Sequence, residues 1–201
     1  MSTEKRCDWA KGPLDIEYHD AEWGHPTGDD RLIFELLILE GMQAGLSWNT
    51  ILRKRKAFRD AFDGFDPHLV AAYDPEKVEE LMGNAAIIRN RRKIEASIQN
   101  AKAFLAVQKE FGSFACFIWS FVKGEQVVNH WQLQEEMPAT SPLSEQVSKA
   151  LLKRGFRFVG PTICYSFLQA IGVINDHLVT CPFHAACQKE GMDFVQKIAC
   201  P

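Results

Sequence analysis

The chain has 201 residues, of which 46% are apolar and 24% charged, and its net charge is −3. These values are typical of one globular domain or of two small subdomains, and they exclude a disordered chain and a polycation. No apolar run approaches the roughly 18 residues of a membrane span, and the charged N-terminus predicts no signal peptide, so we expect a cytoplasmic protein without membrane contact. The six cysteines predict free thiols or metal ligands rather than a disulfide framework.

Helical periodicity runs through most of the chain. Asp29 or Asp30 can cap a first helix with apolar residues through 32–39, and Ser47 can cap the next. Two Asp-Pro pairs place a capping carboxylate before a proline at the first helical position. These pairs lie at 66–67 and 74–75, and further helices are predicted at 94–105, 114–121, 144–152 and 163–171. Only 125–128 favours a short extended segment, so the pattern predicts an all-α fold.

One carboxylate interrupts the apolar face of the first of these helices. Glu40 follows Ile33, Leu36 and Leu37 at the i, i+3, i+4, i+7 spacing that places four side chains on one face. Burying an unpaired carboxylate is costly, so Glu40 is either paired within the core or faces a cavity as a ligand acceptor. The glycines that follow predict a tight loop that allows a partner to approach the backbone closely.

Cysteine and histidine occur together near both ends of the chain. Cys7 precedes His19 near the N-terminus, and His177 and Cys181 are four residues apart near the C-terminus. Two sulfur and two nitrogen donors suit tetrahedral zinc, although this is not the spacing of a standard zinc finger. Either the four residues are unrelated, or they form a closed structural site that ties the two ends together.

Basic residues cluster at 53–59, 89–93 and 153–157. Such runs usually form solvated helix faces. The second run is more specific, because it occupies a short turn between two apolar-periodic helices, where backbone amides at the next helix start can bind a phosphate. This is the arrangement of the helix-hairpin-helix DNA-binding element. Its basic residues are Arg89, Arg91, Arg92 and Lys93.

Four segments together resemble the 3-methyladenine DNA glycosylase I family. They are YHDAEWG at 18–24, LEGMQAGLSW at 39–48, RGFRFVG at 154–160 and NDH at 175–177. The likeness runs in order from about Cys7 to Cys181. It implies a helix-hairpin-helix DNA glycosylase fold with a zinc site joining the N- and C-terminal segments. It further implies a single glycosylase unit, with a helix-hairpin-helix subdomain at about 27–112 and a zinc-stabilised helical subdomain from about 1–26 plus 113–201.

The resemblance also implies a function. It indicates a monomeric, monofunctional base-excision repair enzyme that hydrolyses the N-glycosidic bond of 3-methyladenine, and of 3-methylguanine less readily, in alkylated double-stranded DNA. Carried over by position, Glu40 and Tyr18 become the catalytic pair that binds the base. The aromatic residues against the base become Trp48, Trp9 and Trp23, although core packing is an equal alternative for Trp9 and Trp23.

Further roles follow from the same match. Gly45 and Leu46 become the loop at the gap left by the extruded nucleotide, and the basic residues at 89–93 become phosphate contacts. The ligands of a structural zinc become Cys7, His19, His177 and Cys181. The remaining cysteines become packing or tail thiols, namely Cys116, Cys164, Cys187 and Cys200.

Two positions depart from the family pattern. Asp15 stands where the family carries an aromatic tyrosine, so one wall of the pocket is expected to differ. Ala86 stands where glycine is common, and a positive φ there would strain the hairpin. Three other functions therefore stay open: a non-catalytic helix-hairpin-helix DNA-binding protein, a glycosylase with altered alkyl-purine preference, and a zinc-stabilised small-molecule enzyme.

Overall fold

The computed structural model describes residues 5–195, which are predominantly helical, as the periodicity predicts. The helices are α1 (Pro13–Ala21), α2 (Asp30–Gln43), α3 (Trp48–Ala61), α4 (Pro67–Ala71), α5 (Pro75–Gly83), α6 (Arg91–Phe111), α7 (Phe114–Ser120), α8 (Pro142–Lys153), α9 (Pro161–Ala170) and α10 (Pro182–Val195). Two short strands, β1 (Val127–Val128) and β2 (Ile174–Asn175), pair in parallel. The extended segment predicted at 125–128 is thus confirmed. No helix in the described range is long and apolar enough to cross a membrane.

The capping residues explain where the helices begin. Of the two candidate caps of α2, Asp29 accepts hydrogen bonds from its own helix, at the backbone amide of Arg31. Asp30 instead accepts from the backbone amides of Phe114 and Ala115, both at 2.8 Å, and so caps α7. A residue that looks like a local cap in sequence therefore joins two distant helices.

Four elements differ from the sequence prediction, and one of them is α10, which follows the last predicted helix. The helix expected from residue 144 begins at Pro142, because the Ser141 side chain caps it and a proline suits the first helical position. Neither α1 nor β2 was predicted. The apolar residues of α1 are too few to show a clear period, and β2 is only two residues long.

Helix α2 is the central element. Its residues 33–42 are all buried, because it packs against α3, α6, α7 and α9. A helix surrounded on all sides carries every side chain of its last two turns into the interior. The position of Glu40 inside the protein follows from this packing.

A buried ion-pair network fixes α1 and α3 against α2. Arg55 donates to Glu35 through Nε at 2.6 Å and to Glu22 through Nη1 at 2.6 Å. Arg59 also donates to Glu35, at 2.9 Å. Three residues of the first basic cluster therefore have partners elsewhere in the fold, because Lys54 likewise donates to the backbone carbonyls of residues 85 and 86.

The cysteines outside the predicted metal site fall into three groups. Cys164 and Cys187 are buried free thiols, as expected. Cys116 is disulfide-bonded, which corrects the expectation of a free thiol, since spacing alone does not show which sulfurs meet in a fold. Cys200 lies outside the described residues.

Candidate functional site

A cavity of about 270 Å³ lies beside the C-terminal half of α2. This volume is just below the range of roughly 300–1,000 Å³ that is typical for drug-sized ligands, so the cavity suits a small, flat molecule. Residues from the N-terminal segment, from α2 and α3, and from the C-terminal half of the chain form its walls. The lining residues are Trp9, Tyr18, Trp23, Glu40, Gln43, Trp48, Gln134, Met137, Ser166 and Gln169.

Aromatic rings form a continuous wall. The Tyr18 ring lies between Trp48, with ring centroids 5.2 Å apart, and Trp9, with centroids 6.3 Å apart. Trp23 packs edge-on against Trp9 at 5.1 Å and against His177 at 4.6 Å. Trp23 therefore both lines the cavity and packs against a predicted metal ligand, so both roles considered for it in the sequence are present in the geometry.

Glu40 is the acidic group of the cavity. Its residue is 4% exposed, and its carboxylate has no hydrogen bond or ion pair with any residue in 5–195. Burial raises the pKa of Glu40 to about 8. Of the two alternatives from sequence, the paired core glutamate is thus wrong, and the carboxylate facing a cavity is what the structure contains.

Tyr18 shares this enclosed space. Burial first, and then the nearby carboxylates of Glu40 and Glu22, raise the pKa of the Tyr18 phenol well above its ordinary value. Its hydroxyl therefore keeps its proton at neutral pH and can donate a hydrogen bond.

Two further polar atoms of the cavity walls are buried without a partner in the described chain. They are the Nε1 donor of Trp48 and the Oε1 acceptor of Gln134. Buried polar groups are normally paired, so orphaned ones in a cavity wall indicate a ligand or water that completes them. Gln134 and Met137 belong to a single 3-10 turn and its C-cap, which have no sequence signal, whereas Gln43 could have been found from its i+3 spacing to Glu40.

The loop between α2 and α3 follows the cavity directly. Gly45 has a φ of +83°, a conformation that L side chains rarely adopt, and Leu46 is 40% exposed although it is apolar. These two residues lie between Gln43 and Trp48, which both line the cavity. An exposed leucine is thus held beside the cavity wall.

Lys93 differs from its predicted role as a surface phosphate contact. Its residue is 8% exposed, and its ammonium donates to the carbonyls of Met42 at 2.8 Å and Ala44 at 2.7 Å. These are orphan carbonyls at the C-terminal end of α2, where a cation is favoured. A run of basic residues in the sequence does not show that the side chain of one of them is buried.

The other basic residues of this turn, which joins α5 to α6, are exposed. Arg91 pairs with Glu79 at 2.8 Å, whereas Arg89 and Arg92 form no hydrogen bond or ion pair with described residues. Ala86 is not among the described residues with positive φ, and its amide donates to Asn84 at 3.0 Å. The expected strain at Ala86 is therefore absent. We call residues 84–93 the basic turn.

Asp15 is a second departure that the structure clarifies. Its carboxylate accepts a hydrogen bond from Asn49 at 3.1 Å, and it is not among the residues that line the cavity. Asp15 itself therefore does not form part of the cavity wall, because its side chain is directed to α3; that one wall differs from the family pattern stays a prediction.

Cys7, His19, His177 and Cys181 meet in one buried cluster. Their candidate ligand atoms all lie within 4.8 Å of one another. Cys181 Sγ is 3.7 Å from both His19 Nε2 and His177 Nδ1, and Cys7 Sγ is 3.7 Å from His177 Nδ1. A tetrahedral zinc would place sulfur and nitrogen ligands about 3.6 Å apart, so the cluster can hold such an ion.

The outer nitrogen of each histidine in this cluster is also paired. His19 donates through Nδ1 to Asp20 at 2.7 Å, and His177 donates through Nε2 to the Trp23 carbonyl at 2.9 Å. These bonds leave His19 Nε2 and His177 Nδ1 free to face the sulfurs, as in metal sites. A hydrogen bond from Cys7, with others from the two histidines, lowers the pKa of Cys181, which favours the thiolate that a metal requires.

Replacing the buried carboxyl should stabilise the ligand-free protein in a pH-dependent way. The pKa of Glu40 is raised from 4.5 to about 8, so the stability it contributes is complete below pH 4.5 and is lost as the pH rises to about 8. In thermal unfolding, the free energy of unfolding of Glu40→Gln should therefore exceed that of wild type by little near pH 5 and by a few kcal/mol near pH 9. The difference amounts to roughly 1.4 kcal/mol for each pH unit between the unfolded and folded pKa values. The exposed Glu145→Gln on α8 is the control, and an equal gain at both pH values would contradict the assignment.

The chain resembles known proteins over most of its length. A family model described as Methyladenine glycosylase matches residues 9–185. The chain is 50% identical, over 88% of its length and 95% of the relative, to DNA-3-methyladenine glycosylase 1 of Escherichia coli (strain K12). A crystal structure of 3-methyladenine DNA glycosylase I superposes with a TM-score of 0.85 at 50% identity, covering 89% of this chain and 98% of the other.

A second solved structure contains a ligand. A variant of 3-methyladenine DNA glycosylase I in complex with 3-methyladenine has a TM-score of 0.84 at 37% identity, covering 86% of this chain and 92% of that chain. The helical fold, the central α2 and the cavity beside it are thus accompanied by a sequence match across most of the chain. The chain belongs to the methyladenine glycosylase family.

Proposed function

We propose that this protein is a monofunctional DNA repair glycosylase that hydrolyses the N-glycosidic bond of 3-methyladenine, and of 3-methylguanine less readily, in alkylated double-stranded DNA. The observation that carries the proposal is the buried, unpaired carboxylate of Glu40 in an aromatic-walled cavity. The relatives are named 3-methyladenine glycosylases, and one of them was solved with that base.

The charge of the substrate explains the use of a carboxylate. Methylation at N3 makes the base in DNA cationic, so it leaves as a neutral molecule and needs little protonation. A cation beside Glu40 favours the ionised carboxylate and offsets its burial. Glu40 accepts a hydrogen bond from the exocyclic amine of the base, and Tyr18 adds a polar contact. Trp48 stacks on the ring, which contributes about 1–3 kcal/mol to binding.

The inventory of the cavity favours hydrolysis over a lyase reaction. Among its lining residues only Glu40 and Tyr18 are titratable, and no lysine is among them. The nearby Lys93 ammonium is held by two backbone carbonyls. No lining residue therefore offers an amine to form a Schiff base with the sugar, and water attacks the sugar as the neutral base departs.

DNA binding uses the surface next to the cavity. The target nucleotide leaves the base stack to enter the cavity, and Leu46 occupies the resulting gap, which offsets an unstacking cost of a few kcal/mol. Arg89, Arg92 and Arg91 contact phosphates from the basic turn, which acts as a helix-hairpin-helix element. Lys93 takes a different role and holds the loop that carries Gly45 and Leu46.

The subdomain division belongs to the same proposal. Glu40, Gln43 and Trp48 line the cavity from the subdomain at about 27–112, and the other lining residues come from about 1–26 and 113–201. The cavity therefore lies between two subdomains of one glycosylase unit. The protein acts as a monomer, and its cytoplasmic location agrees with a chromosomal substrate.

We further propose that the Cys7, His19, His177 and Cys181 cluster holds a structural zinc. Four protein ligands leave no open position for a substrate or water, so the ion supplies stability and no chemistry. It would join the N-terminal segment, which carries Trp9 and Tyr18, to the C-terminal segment.

The activity is tested by base release. Wild-type protein incubated with methylated duplex DNA should release 3-methyladenine, measured by chromatography of the free base. Glu40→Gln should lower the single-turnover excision rate by about 10- to 100-fold, because it replaces a charged hydrogen bond worth roughly 1.5–3 kcal/mol. Glu145→Gln should match wild type. Release of no base by the wild type would reject the proposal and favour a non-catalytic DNA-binding protein.

The metal is tested by paired cysteine variants. Wild type should contain one zinc per chain by elemental analysis, whereas Cys181→Ser should lose most of it and unfold at least several °C lower, since binding to the folded state alone adds stability. Cys187→Ser, a buried free thiol outside the cluster, is the matched control and should retain zinc. A wild-type protein without zinc, refolded in its presence, would contradict the assignment.

The DNA surface is tested by salt dependence. The double variant Arg89→Gln/Arg92→Gln should bind abasic duplex more weakly, and its slope of log K against log salt should fall by about 0.9 for each phosphate that the variant no longer neutralises. Affinity for free 3-methyladenine should stay unchanged. Lys56→Gln, exposed and paired with Asp60, is the control from the first basic cluster. An unchanged slope in the double variant would remove the basic turn from the DNA interface.

The alternative of altered lesion preference stays open. Asp15 replaces an aromatic residue of the family pattern, and its carboxylate bonds to Asn49 outside the cavity wall.

A further inference from the structure

A second polar side chain of the cavity is held in one orientation. Gln169 lies on α9, three residues after Ser166, and both line the cavity. Its residue is 9% exposed. The backbone around it is fixed as well, because the Gln169 carbonyl accepts hydrogen bonds from the amides of Gly24 at 2.9 Å and Gly172 at 3.1 Å.

The orientation of the Gln169 amide is set by Asp176, which is fully buried. Asp176 Oδ1 accepts from Asn129 Nδ2 at 2.6 Å and from Trp131 Nε1 at 2.7 Å. Its Oδ2 accepts from the Tyr165 hydroxyl and from Gln169 Nε2, both at 2.6 Å. Each Asp176 oxygen accepts from two donors, and the Gln169 amide is oriented with its NH2 group towards Oδ2. The opposite end of the amide, Oε1, accepts no hydrogen bond from residues 5–195.

We propose that Gln169 recognises the damaged base as a second hydrogen-bond acceptor beside Glu40, and that Asp176 is the positioning residue that keeps Gln169 Oε1 directed to the cavity. The inference rests on the proposed glycosylase function and deepens it. In this proposal Gln169 accepts a hydrogen bond from an N–H group of the base, whereas Asp176 does not contact the substrate.

Two acceptors in one cavity select by repulsion as well as by attraction. A base with an exocyclic amine can donate to them, whereas a base with a carbonyl oxygen at that position places lone pairs against lone pairs. A fixed amide is needed for this discrimination, because a glutamine that is free to rotate presents a donor to one base and an acceptor to the other. The four donors on Asp176 remove that freedom.

The first experiment measures binding of two free bases by calorimetry. The bases are 3-methyladenine and 3-methylhypoxanthine, which has an oxo group in place of the amine. Gln169→Met keeps the shape of the side chain and removes the acceptor, so affinity for 3-methyladenine should fall by about 3- to 10-fold, the worth of one hydrogen bond. Affinity for 3-methylhypoxanthine should stay equal or rise.

Tyr165→Phe is the matched control. It removes the other donor from the same Asp176 oxygen, but Tyr165 is not among the residues that line the cavity. Its thermal stability should fall as that of Gln169→Met does, while its preference between the two bases should equal that of wild type. Equal losses for both bases in Gln169→Met would show a packing role and overturn the inference.

Asp176→Asn tests the positioning role. The new amide nitrogen should face Tyr165 and Gln169, because a hydroxyl and an amide can both turn to accept, whereas the Trp131 indole can only donate. Gln169 would then rotate and present its NH2 group to the cavity. The preference should shift towards 3-methylhypoxanthine, a change that simple destabilisation does not produce. Zinc content is measured as well, because Asp176 precedes His177; a variant that retains zinc and keeps the wild-type preference would contradict the positioning role.

The two proposals fail in different ways. If the wild type releases no 3-methyladenine from DNA, the glycosylase function is rejected whatever the variants bind. If the wild type releases the base and Gln169→Met binds both free bases as wild type does, only the role of Gln169 is rejected.

Discussion

The burial of one carboxylate without a counter-charge is the constraint on which the site depends. Helix α2 is enclosed on all sides, so Glu40 cannot reach solvent freely, and no described residue neutralises it. This burial raises the pKa of Glu40 to about 8 in the empty protein. A cation with an N–H donor removes the cost, whereas a neutral base without a donor leaves it in place. The unfavourable energy of the free site is thus the source of its selectivity.

The aromatic walls are held by interactions outside the cavity. Tyr18 and Trp23 lie on either side of Glu22, whose carboxylate pairs with Arg55 on α3. The same N-terminal segment contributes Cys7 and His19 to the metal cluster. An ion pair and the buried Cys/His cluster, a candidate metal site, therefore connect this segment to the rest of the fold. The polar atoms of the rings form no hydrogen bonds with the described protein. Trp48 Nε1 and the Tyr18 hydroxyl are therefore available to a ligand.

Sequence reasoning was most reliable where the physics is local. Caps at Ser47, Asp66 and Asp74 located three helices, because the capping hydrogen bond spans only two or three residues. The i+7 position of Glu40 showed a carboxylate on an apolar face, but only coordinates could show that it lacks a partner. Gln134 and Met137 could not be predicted as lining residues, since their segment is too short to show an apolar period that identifies its inward face.

Long-range contacts explain the remaining errors. The four candidate metal ligands span most of the chain, so their spacing alone is weak evidence for a shared site. Asp30 caps a helix more than 80 residues away, and Lys93 was expected on the surface. In both cases the sequence shows the charged residue but not its partner. The partner is a backbone amide or carbonyl, and nearly every residue carries both groups.

The inward turn of Lys93 has a mechanical consequence. One ammonium joins the first turn of α6 to the last carbonyls of α2, and its two short bonds leave little room for relative motion. The proposed phosphate contacts of the basic turn and the exposed Leu46 are therefore mechanically linked. In the proposed complex with DNA, a displacement of the basic turn along the groove would also displace Leu46.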